Sequence, residues 1–383
     1  MKSQEIDLEE ADGEEPIDFP PPERKIVTQP YDLSLSTLRD QWSQKLLVIP
    51  EIQREYVWDN GRASRLIESL LLNIPVPPIY FAEREDSVLE IVDGHQRVKS
   101  IVRFISNEFA LSGLGILSEY MGARFHKLPP NEQRHLLTRT LRAVVLGRES
   151  HPNMKFEVFE RLNTGGIALN AQELRNSLYR GSLNRTLHKL AAQCKTFRAL
   201  IGTKTPRRRM VDEELILRWF AMRDNLRNYK PPLKRFLNEY MDANKRRSEA
   251  WLEEREEHFD STMNLTYDVL GSKAFRLMDE NGNPLVDKDG KKLPSGVNRA
   301  LFDAQSSAFS WVKQPVTESH PRALAEISKV LQDPEFQDAV RRATSDRARI
   351  RLRVSRMVKV LRSCGFEVTV PEGVELSDAL QGT

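Results

Sequence analysis

Apolar and polar segments alternate between residues 46 and 106 in a way that predicts a small α/β unit. The apolar runs are four or five residues long, as in buried strands, and a proline, a charged turn or an Asp-Gly pair ends each of them. Between the runs, apolar residues recur at helical spacing. The predicted strands lie at residues 46–49, 79–82 and 88–92, and the predicted helices at residues 61–73 and 95–107.

The remainder of the chain changes from sheet to helix. Two further segments, Phe109–Leu111 and Arg142–Leu146, are predicted to return to the sheet. From about residue 155 to residue 364 the spacing is helical, interrupted by a turn-rich hairpin at residues 279–296. The fold class predicted is therefore an α/β core with a small mixed sheet, followed by a mostly α-helical domain. Helix caps are predicted at Ser34 or Ser36, at Asp59 or Asn60, and at Asn170 with Glu173 as its reciprocal partner.

The same pattern predicts three parts: a disordered acidic tail at 1–25, an α/β domain at 26–152 and a helical domain at 153–383 with a basic C-terminal helix. Residues 1–18 hold eight acids and one lysine, a net charge of −7. Because the whole chain carries +3, the remainder carries +10. The tail is either a solvated leader or a competitor of an anionic ligand for a basic surface.

Composition narrows the class of protein. With 39% hydrophobic residues among 383, the chain can bury a core and is not wholly disordered. No run approaches the roughly 20 apolar residues of a membrane helix, and the acidic N-terminus lacks the apolar segment of a secretory signal. Two cysteines cannot form a disulfide framework or a zinc site by themselves. We therefore expect a soluble, cytoplasmic protein without a membrane partner.

Residues 341–362 hold nine arginines and lysines against one acid, Asp346. Apolar residues recur there at helical spacing, so one helix face should pack and the other should be cationic. Such a face suits the phosphate backbone of DNA, and the alternative is a solvated face near acidic neighbours. The candidate DNA-binding residues are Arg341, Arg342, Arg349, Arg351, Arg353 and Arg356.

Residues 93–97, with the sequence DGHQR, follow the third predicted strand and begin a helix. Glycine lets the backbone approach a ligand closely and a helix N-terminus attracts anions, so this turn could bind a phosphate with Arg97. Asp93 could hold a metal ion, orient Arg97 or position a water, or it could only cap the helix. The chain contains no GxxxxGK[ST] phosphate-binding loop.

Two other segments could complete a nucleotide site. Gln53 and Arg54 follow the first strand, and Tyr56 and Trp58 add aromatic rings, a combination that suits phosphates and a base. The alternative is a surface loop with a buried Trp58. Residues 163–166 (NTGG) form a predicted turn with exposed amides that could equally be a simple helix connection.

Four segments together resemble the DGQQR-motif domain at the N-terminus of GmrSD-type modification-dependent restriction proteins, also called domain of unknown function 262. They are IPEIQREYVW, LLLNIPVPPIYF, LEIVDGHQRVKSI and FERLNTGGIALNAQELRN, and a looser resemblance extends over residues 30–365. The resemblance implies a ParB/sulfiredoxin-like core with a helical extension. It also implies nucleotide binding and hydrolysis in an anti-phage system that senses modified DNA.

The resemblance assigns roles to individual residues and implies an NTP of open identity as cofactor. Whether Mg²⁺ accompanies it stays open, since Asp93 is the one carboxylate clearly placed at the motif. His95 stands where the family has glutamine, and since the charge of an imidazole depends on pH, the nucleotide and its turnover stay open. Asp93 is the candidate metal ligand, and Asp93, Gln96 and Arg97 are the candidate catalytic residues. The candidate nucleotide-binding residues are Gln53, Arg54, Gly94, His95, Asn163, Thr164 and Gly165.

We therefore expect a nucleotide-binding, NTP-hydrolysing sensor component of a DNA-directed, restriction-like system. Because the sequence shows no HNH-type His–Asn–His site, we expect DNA and a separate nuclease chain as partners, and homo-oligomers stay open. One alternative is a ParB-like DNA-binding module without turnover. The other is a stand-alone DNA nuclease, against which the lack of a recognisable metal-ligand cluster argues.

Overall fold

A computed structural model of the chain describes residues 20–49, 56–162, 169–287, 290–314 and 316–376. The chain divides into two compact units between Leu178 and Tyr179. The N-terminal unit contains a five-stranded mixed sheet and the second unit is mostly helical, so the predicted fold class is confirmed. The division lies 26 residues after the predicted boundary at 152, and most of the predicted acidic tail lies outside the described residues.

The N-terminal unit is built on its mixed sheet, in which the strand order is β1-β5-β3-β4-β2. The pairs β1/β5 and β3/β4 are antiparallel, whereas β5/β3 and β4/β2 are parallel. The strands are β1 (Thr28–Ser34), β2 (Leu47–Val48), β3 (Ile79–Glu83), β4 (Leu89–Asp93) and β5 (Thr140–Leu146). The helices are α1 (Leu35–Ser43), α2 (Asn60–Leu71), α3 (His95–Ile105), α4 (Pro130–Thr138), α5 (Pro152–Leu162) and α6 (Ala171–Leu178).

The predicted helix caps are confirmed by their hydrogen bonds. Ser34 Oγ accepts from the Thr37 amide, and Asp59 Oδ1 accepts from the Arg62 amide at 2.7 Å. At α6 the reciprocal pair forms in full, because the Asn170 amide donates to Glu173 Oε2 at 2.7 Å and the Glu173 amide donates to Asn170 Oδ1 at 2.8 Å. Local sequence therefore determines where these helices begin.

The predicted strand at Phe109–Leu111 is wrong. Leu111 exchanges only two backbone hydrogen bonds with a nearby loop, donating to the Ala123 carbonyl and accepting from the Gly122 amide. Both apolar side chains are nevertheless buried, and the Phe109 ring lies 5.4 Å from that of Phe104. Burial in a loop gives a short apolar run the same pattern as a strand.

Glu68 on α2 anchors the loop that follows this segment. Its carboxylate is 8% exposed and accepts three backbone hydrogen bonds, from Gly115 at 3.1 Å, Ile116 at 2.7 Å and Leu117 at 2.8 Å. Burial raises the pKa of Glu68, but the three amides and the charge of Arg65 lower it by more. The net result is a pKa below the ordinary value of 4.5. The charged form therefore stabilises the folded loop.

We predict that Glu68→Gln loosens this loop. Glutamine keeps one acceptor oxygen but no charge, so the protection of the three amides against hydrogen exchange should fall roughly tenfold, or about 1.4 kcal/mol. The folded-state pKa of Glu68 lies below its ordinary value of 4.5, so the charge stabilises the fold above pH 4.5 and this effect is lost as the pH falls through the folded-state pKa. The two proteins should therefore converge at pH values below the folded-state pKa. The matched control is Glu119→Gln, an exposed carboxylate in the same loop. Equal protection in wild type and Glu68→Gln at pH 7 would contradict the assignment.

The second unit is a bundle around one buried helix. None of the described helices has the length and apolar character needed to cross a membrane. A short antiparallel pair, β6 (Val312–Gln314) and β7 (Glu367–Val368), flanks the bundle. The helices are α7 (Ser182–Gln193), α8 (Lys195–Ile201), α9 (Val211–Asn225), α10 (Leu233–Asn244), α11 (Glu249–Leu270), α12 (Arg299–Ser310), α13 (His320–Gln332), α14 (Pro334–Arg341) and α15 (Arg347–Ser363).

The central helix is α12, which is buried from Ala300 to Ser310 and packs against α9, α11, α14 and α15. Its one carboxylate, Asp303, is 1% exposed and receives a two-pronged bond from Arg218 on α9. Arg218 Nε donates to Oδ1 at 2.8 Å and Nη2 to Oδ2 at 2.5 Å. A buried pair of this geometry fixes how α9 and α12 lie against each other.

Candidate functional site

The DGHQR sequence forms the junction between β4 and α3. Tyr80 pairs with Asp93 and Phe81 with Ile91, so β4 holds one extra residue, a β-bulge. Gly94 follows in the left-handed conformation, with φ +94° and ψ 12°, and is the N-cap of α3. The bulge and the glycine together turn the chain from the strand into the helix.

Asp93 and Arg97 close this turn with an ion pair. Arg97 Nη2 donates to Asp93 Oδ2 at 2.7 Å, while Nη1 donates to the carbonyls of Pro77 at 2.5 Å and Pro78 at 3.2 Å. The side chain of Arg97 is 13% exposed and that of Asp93 is 34% exposed. The guanidinium therefore joins the end of β4 to the segment that enters β3. The predicted phosphate fork of Arg97 is occupied by protein acceptors.

Gln96 connects α3 to the chain that follows the Gln-Arg motif. Its Oε1 accepts from the amides of Val57 at 3.1 Å and Trp58 at 3.4 Å. One turn later, Ser100 Oγ donates to the Gln96 carbonyl and is hydrogen-bonded to the Tyr56 hydroxyl at 2.9 Å. Residues 56–58 are thus held against the first two turns of α3.

Cationic side chains pack on the two aromatic rings of this segment. The guanidinium carbon of Arg103 lies 4.6 Å from the Tyr56 ring centre and Lys99 Nζ lies 5.5 Å from it. Arg62 lies 4.9 Å from the Trp58 ring centre. Cationic side chains of α2 and α3 therefore pack on the aromatic rings of residues 56–58, a combination that suits nucleotide binding.

Five predicted nucleotide-binding residues lie outside the described residues, so their roles stay predictions. They are Gln53, Arg54, Asn163, Thr164 and Gly165. Arg54 precedes Val57 by three residues in the sequence, and Val57 is bonded to the α3 turn. The predicted nucleotide-binding residue His95 is described, and its ring Nε2 lies 2.8 Å from the side-chain amide Nε2 of Gln96. The Gln96 amide donates to the imidazole when the ring Nε2 carries no proton.

Asp93 does not belong to a ready-made metal site. Within the described ranges, no three metal-ligating side chains come together.

The sequence analysis missed the partners that hold the turn. Pro77 and Pro78 supply carbonyls to Arg97, and Ser100 links Gln96 to Tyr56. The proline pair was the available signal in the sequence. Proline lacks an N–H and does not extend a strand ladder, so the carbonyls of this segment stay available to a side-chain donor.

The basic helix is present as α15, but its cationic face is largely neutralised. Arg349 pairs with Asp338 at 2.6 Å and Arg356 with Glu335 at 3.0 Å, both carboxylates of α14. Arg351 pairs with Glu375 at 2.5 Å. These pairs agree with the alternative of a helix face near acidic neighbours, and the carboxylates come from outside residues 341–362. Arg341 lies 4.0 Å from Asp287, and Arg342 is 73% exposed.

Arg353 contacts no solvent and is not a DNA contact in this structure. It is 0% exposed and donates to the carbonyls of Ala339 at 2.8 Å and Thr344 at 2.9 Å. Burial lowers the pKa of Arg353 to about 10, Asp303 opposes this shift and Arg218 adds to it. The prediction for this residue is corrected: its guanidinium holds α15 to α14 and the loop after it.

Comparison with known families places the turn in context. Residues 35–180 match the family model of the GmrSD restriction endonuclease N-terminal domain. The resemblance read from the four motifs is therefore confirmed for this region, hereafter the GmrSD-type domain, which indicates a restriction-related, DNA-directed module. No curated protein matches the chain. The match begins at the first residue of α1 and includes the DGHQR turn and the whole of α6.

We predict that Gly94→Ala destabilises the N-terminal unit. A Cβ at this position would lie 3.0 Å from Ile79 Cγ2 and 3.1 Å from Arg97 Nη2, in addition to the strain of φ +94°. Gly113→Ala is the matched control, because Gly113 has φ +62° and open space around it. The control should cost about 1 kcal/mol and Gly94→Ala about 1–3 kcal/mol more. Urea unfolding resolved by hydrogen exchange of the β4 and α3 amides measures both, and equal losses would exclude the steric contribution.

We predict that Arg353→Ala unfolds the bundle instead of weakening DNA binding selectively. Its removal leaves the buried carbonyls of Ala339 and Thr344 without a donor, at a cost of about 3 kcal/mol or more. Arg342→Ala, at a 73% exposed position, should change stability by less than about 0.5 kcal/mol. Thermal unfolding compares the two, and a wild-type midpoint for Arg353→Ala would contradict the buried role.

Proposed function

We propose that the GmrSD-type domain binds and hydrolyses a nucleoside triphosphate at the DGHQR turn, as the sensor component of a DNA-directed, restriction-like system. The observation that carries the proposal is the arrangement around Gln96. Its side chain bonds the amides of residues 57 and 58, which follow the Gln-Arg motif, to the turn that Asp93 and Arg97 close. The segment that follows the Gln-Arg motif in the sequence is thereby held at the N-terminus of α3.

The proposed chemistry depends on the two carboxylate oxygens of Asp93, of which one is hydrogen-bonded to Arg97. Asp93 Oδ2 accepts from Arg97, and Oδ1 accepts no hydrogen bond from the described residues. Oδ1 is therefore the atom that orients a water or a nucleotide-bound Mg²⁺. Arg97 positions this carboxylate, and the phosphate charge is met by the N-terminus of α3 and by Arg54.

We further propose that the helical unit contributes DNA contacts through those cations of the α14–α15 region that remain accessible. Among the arginines of this region that form ion pairs, Arg342 has the most exposed side chain, at 73%. The ion pair of Arg351 with Glu375 also lies at the surface. A ParB-like module that binds DNA without turnover is the alternative. The two differ in whether nucleotide is consumed.

We predict that Asp93→Asn abolishes phosphate release and preserves the fold. Asparagine Oδ1 still accepts from Arg97, so the turn should stay closed, but the amide can neither hold Mg²⁺ well nor attract a water proton. The assay measures phosphate release from ATP, GTP, CTP and UTP with Mg²⁺, with and without DNA. We expect release from at least one nucleotide, changed by DNA, and a loss of about 100-fold or more in the variant.

The matched control is Asp86→Asn, a carboxylate of the β3–β4 turn that pairs with Arg84 on the surface. It should leave turnover unchanged. No release from any nucleotide by the wild type, with DNA still bound, would favour the module without turnover. Release that survives Asp93→Asn would remove Asp93 from the reaction.

A further inference from the structure

A groove on the helical unit lies between α15 and the turn of 3₁₀ helix at Leu226–Asn228. Its floor is apolar and includes the buried side chains of Ile350 and Val354. Its walls carry the guanidinium-bearing residues Arg227, Arg347 and Arg351. Three arginines around one cleft form an anion-binding arrangement of the kind that phosphate groups occupy.

One wall of this groove is the segment Pro371–Leu376, which we call the acidic strap. A turn shapes it, since the Val374 amide donates to the Pro371 carbonyl and Gly373 has φ +80°. Val374 and Leu376 are half-buried and line the groove. Glu375 Oε2 lies 2.5 Å from Arg351 Nη2. The strap thus places a carboxylate on one of the three arginines.

The ion pair between Glu375 and Arg351 is weak enough for another anion to replace Glu375. The Glu375 side chain is 70% exposed, and a solvent-exposed ion pair contributes only about 0–1 kcal/mol. Arg351 is itself 27% exposed, in contrast with the fully buried Arg353 two residues away. A phosphate group offers a guanidinium the same forked acceptor geometry as a carboxylate. Arg351 can therefore change partner without loss of the fold, whereas Arg353 cannot.

We propose that the acidic strap is an autoinhibitory segment and that a DNA phosphate replaces Glu375 on Arg351 when the strap moves away. The inference rests on the proposed DNA contact of the helical unit and adds its regulation. The groove with the strap displaced presents Arg227, Arg347 and Arg351 to one stretch of DNA backbone. With the strap in place, Glu375 neutralises Arg351 and repels the phosphate.

The first test removes the competing charge. Glu375→Gln should tighten binding of a fluorescent duplex DNA about three- to tenfold at low salt, and the gain should shrink as salt screens the ion pair. Glu372→Gln is the matched control, since Glu372 is an exposed carboxylate of the same strap without an ion pair to Arg351. In an Arg351→Ala background, Glu375→Gln should have no effect, because the arginine that it releases is gone.

The second test locks the strap with a disulfide. A Cβ on Gly373 would lie 3.7 Å from Cβ of Arg227, within the range of disulfides, and the two native cysteines are buried. The oxidised Arg227→Cys/Gly373→Cys protein should bind DNA at least tenfold more weakly than its reduced form, with full recovery on reduction. Arg227→Cys alone, with and without reductant, controls for the lost arginine. Thiol titration verifies that the bond has formed.

The outcomes separate the inference from the function on which it rests. If the wild type binds DNA but neither Glu375→Gln nor the locked strap changes the affinity, the autoinhibitory role is excluded and the DNA contact stands. If wild type, Glu375→Gln and the reduced double-cysteine protein all fail to bind DNA, both are overturned. A gain in Glu375→Gln that persists in the Arg351→Ala background would show that the strap acts elsewhere.

Discussion

A guanidinium that is withdrawn from water must be surrounded by acceptors, and this requirement organises both units. In the N-terminal unit Arg97 binds one carboxylate at the end of β4 and two proline carbonyls of the segment before β3. In the helical unit Arg218 donates to the Asp303 carboxylate, and Arg353 donates to the carbonyls of Ala339 in α14 and Thr344 in the loop after it. Each of these side chains joins elements that are distant in sequence. Much of the positive charge in this chain therefore holds the fold together, and only the remainder meets ligands.

For the candidate site, this constraint reverses the first interpretation of the motif. An arginine that follows a strand–glycine turn suggests a phosphate fork, but the fork here is already satisfied by the protein. What the motif offers a ligand is the carboxylate that Arg97 orients and the helix N-terminus that Gly94 opens. Charge for the phosphates has to come from neighbouring segments, and Lys99 and Arg103 beside Tyr56 show that α3 carries such charge. Lysine would be a poor replacement for Arg97, because two nitrogens of the guanidinium reach acceptors of two different segments at once.

The sequence predicted local features well and long-range pairing poorly. The capping residues Ser34, Asp59 and Asn170 were identified because a cap is specified by residues three or four positions apart. Strands β2 to β5 followed from apolar runs, but β1, which is not an apolar run, was not predicted, and burial alone did not distinguish Phe109–Leu111 from a strand. The ion pairs and burial of these arginines were missed for a different reason. Arg349 finds its carboxylate on α14 and Arg351 finds its own beyond β7, and Arg353 is buried only because α12 and α14 pack over it. No pattern within residues 341–362 contains that information.

Ion pairs between arginines and carboxylates lower non-specific affinity for DNA, which matters in a DNA-directed protein. A segment such as 341–362 with all nine cations free would bind any duplex, since backbone contacts carry no sequence information and dominate non-specific affinity. Each internal carboxylate lowers that affinity, because DNA has to displace it before a phosphate can take its place. Pairs inside the fold, such as Arg349 with Asp338, lower it permanently, whereas a pair made by a terminal strap lowers it only while the strap is seated. Under the proposed function, weak and conditional backbone binding in the helical unit would leave the choice of DNA to the GmrSD-type domain, where a nucleotide-dependent step would reject the wrong target.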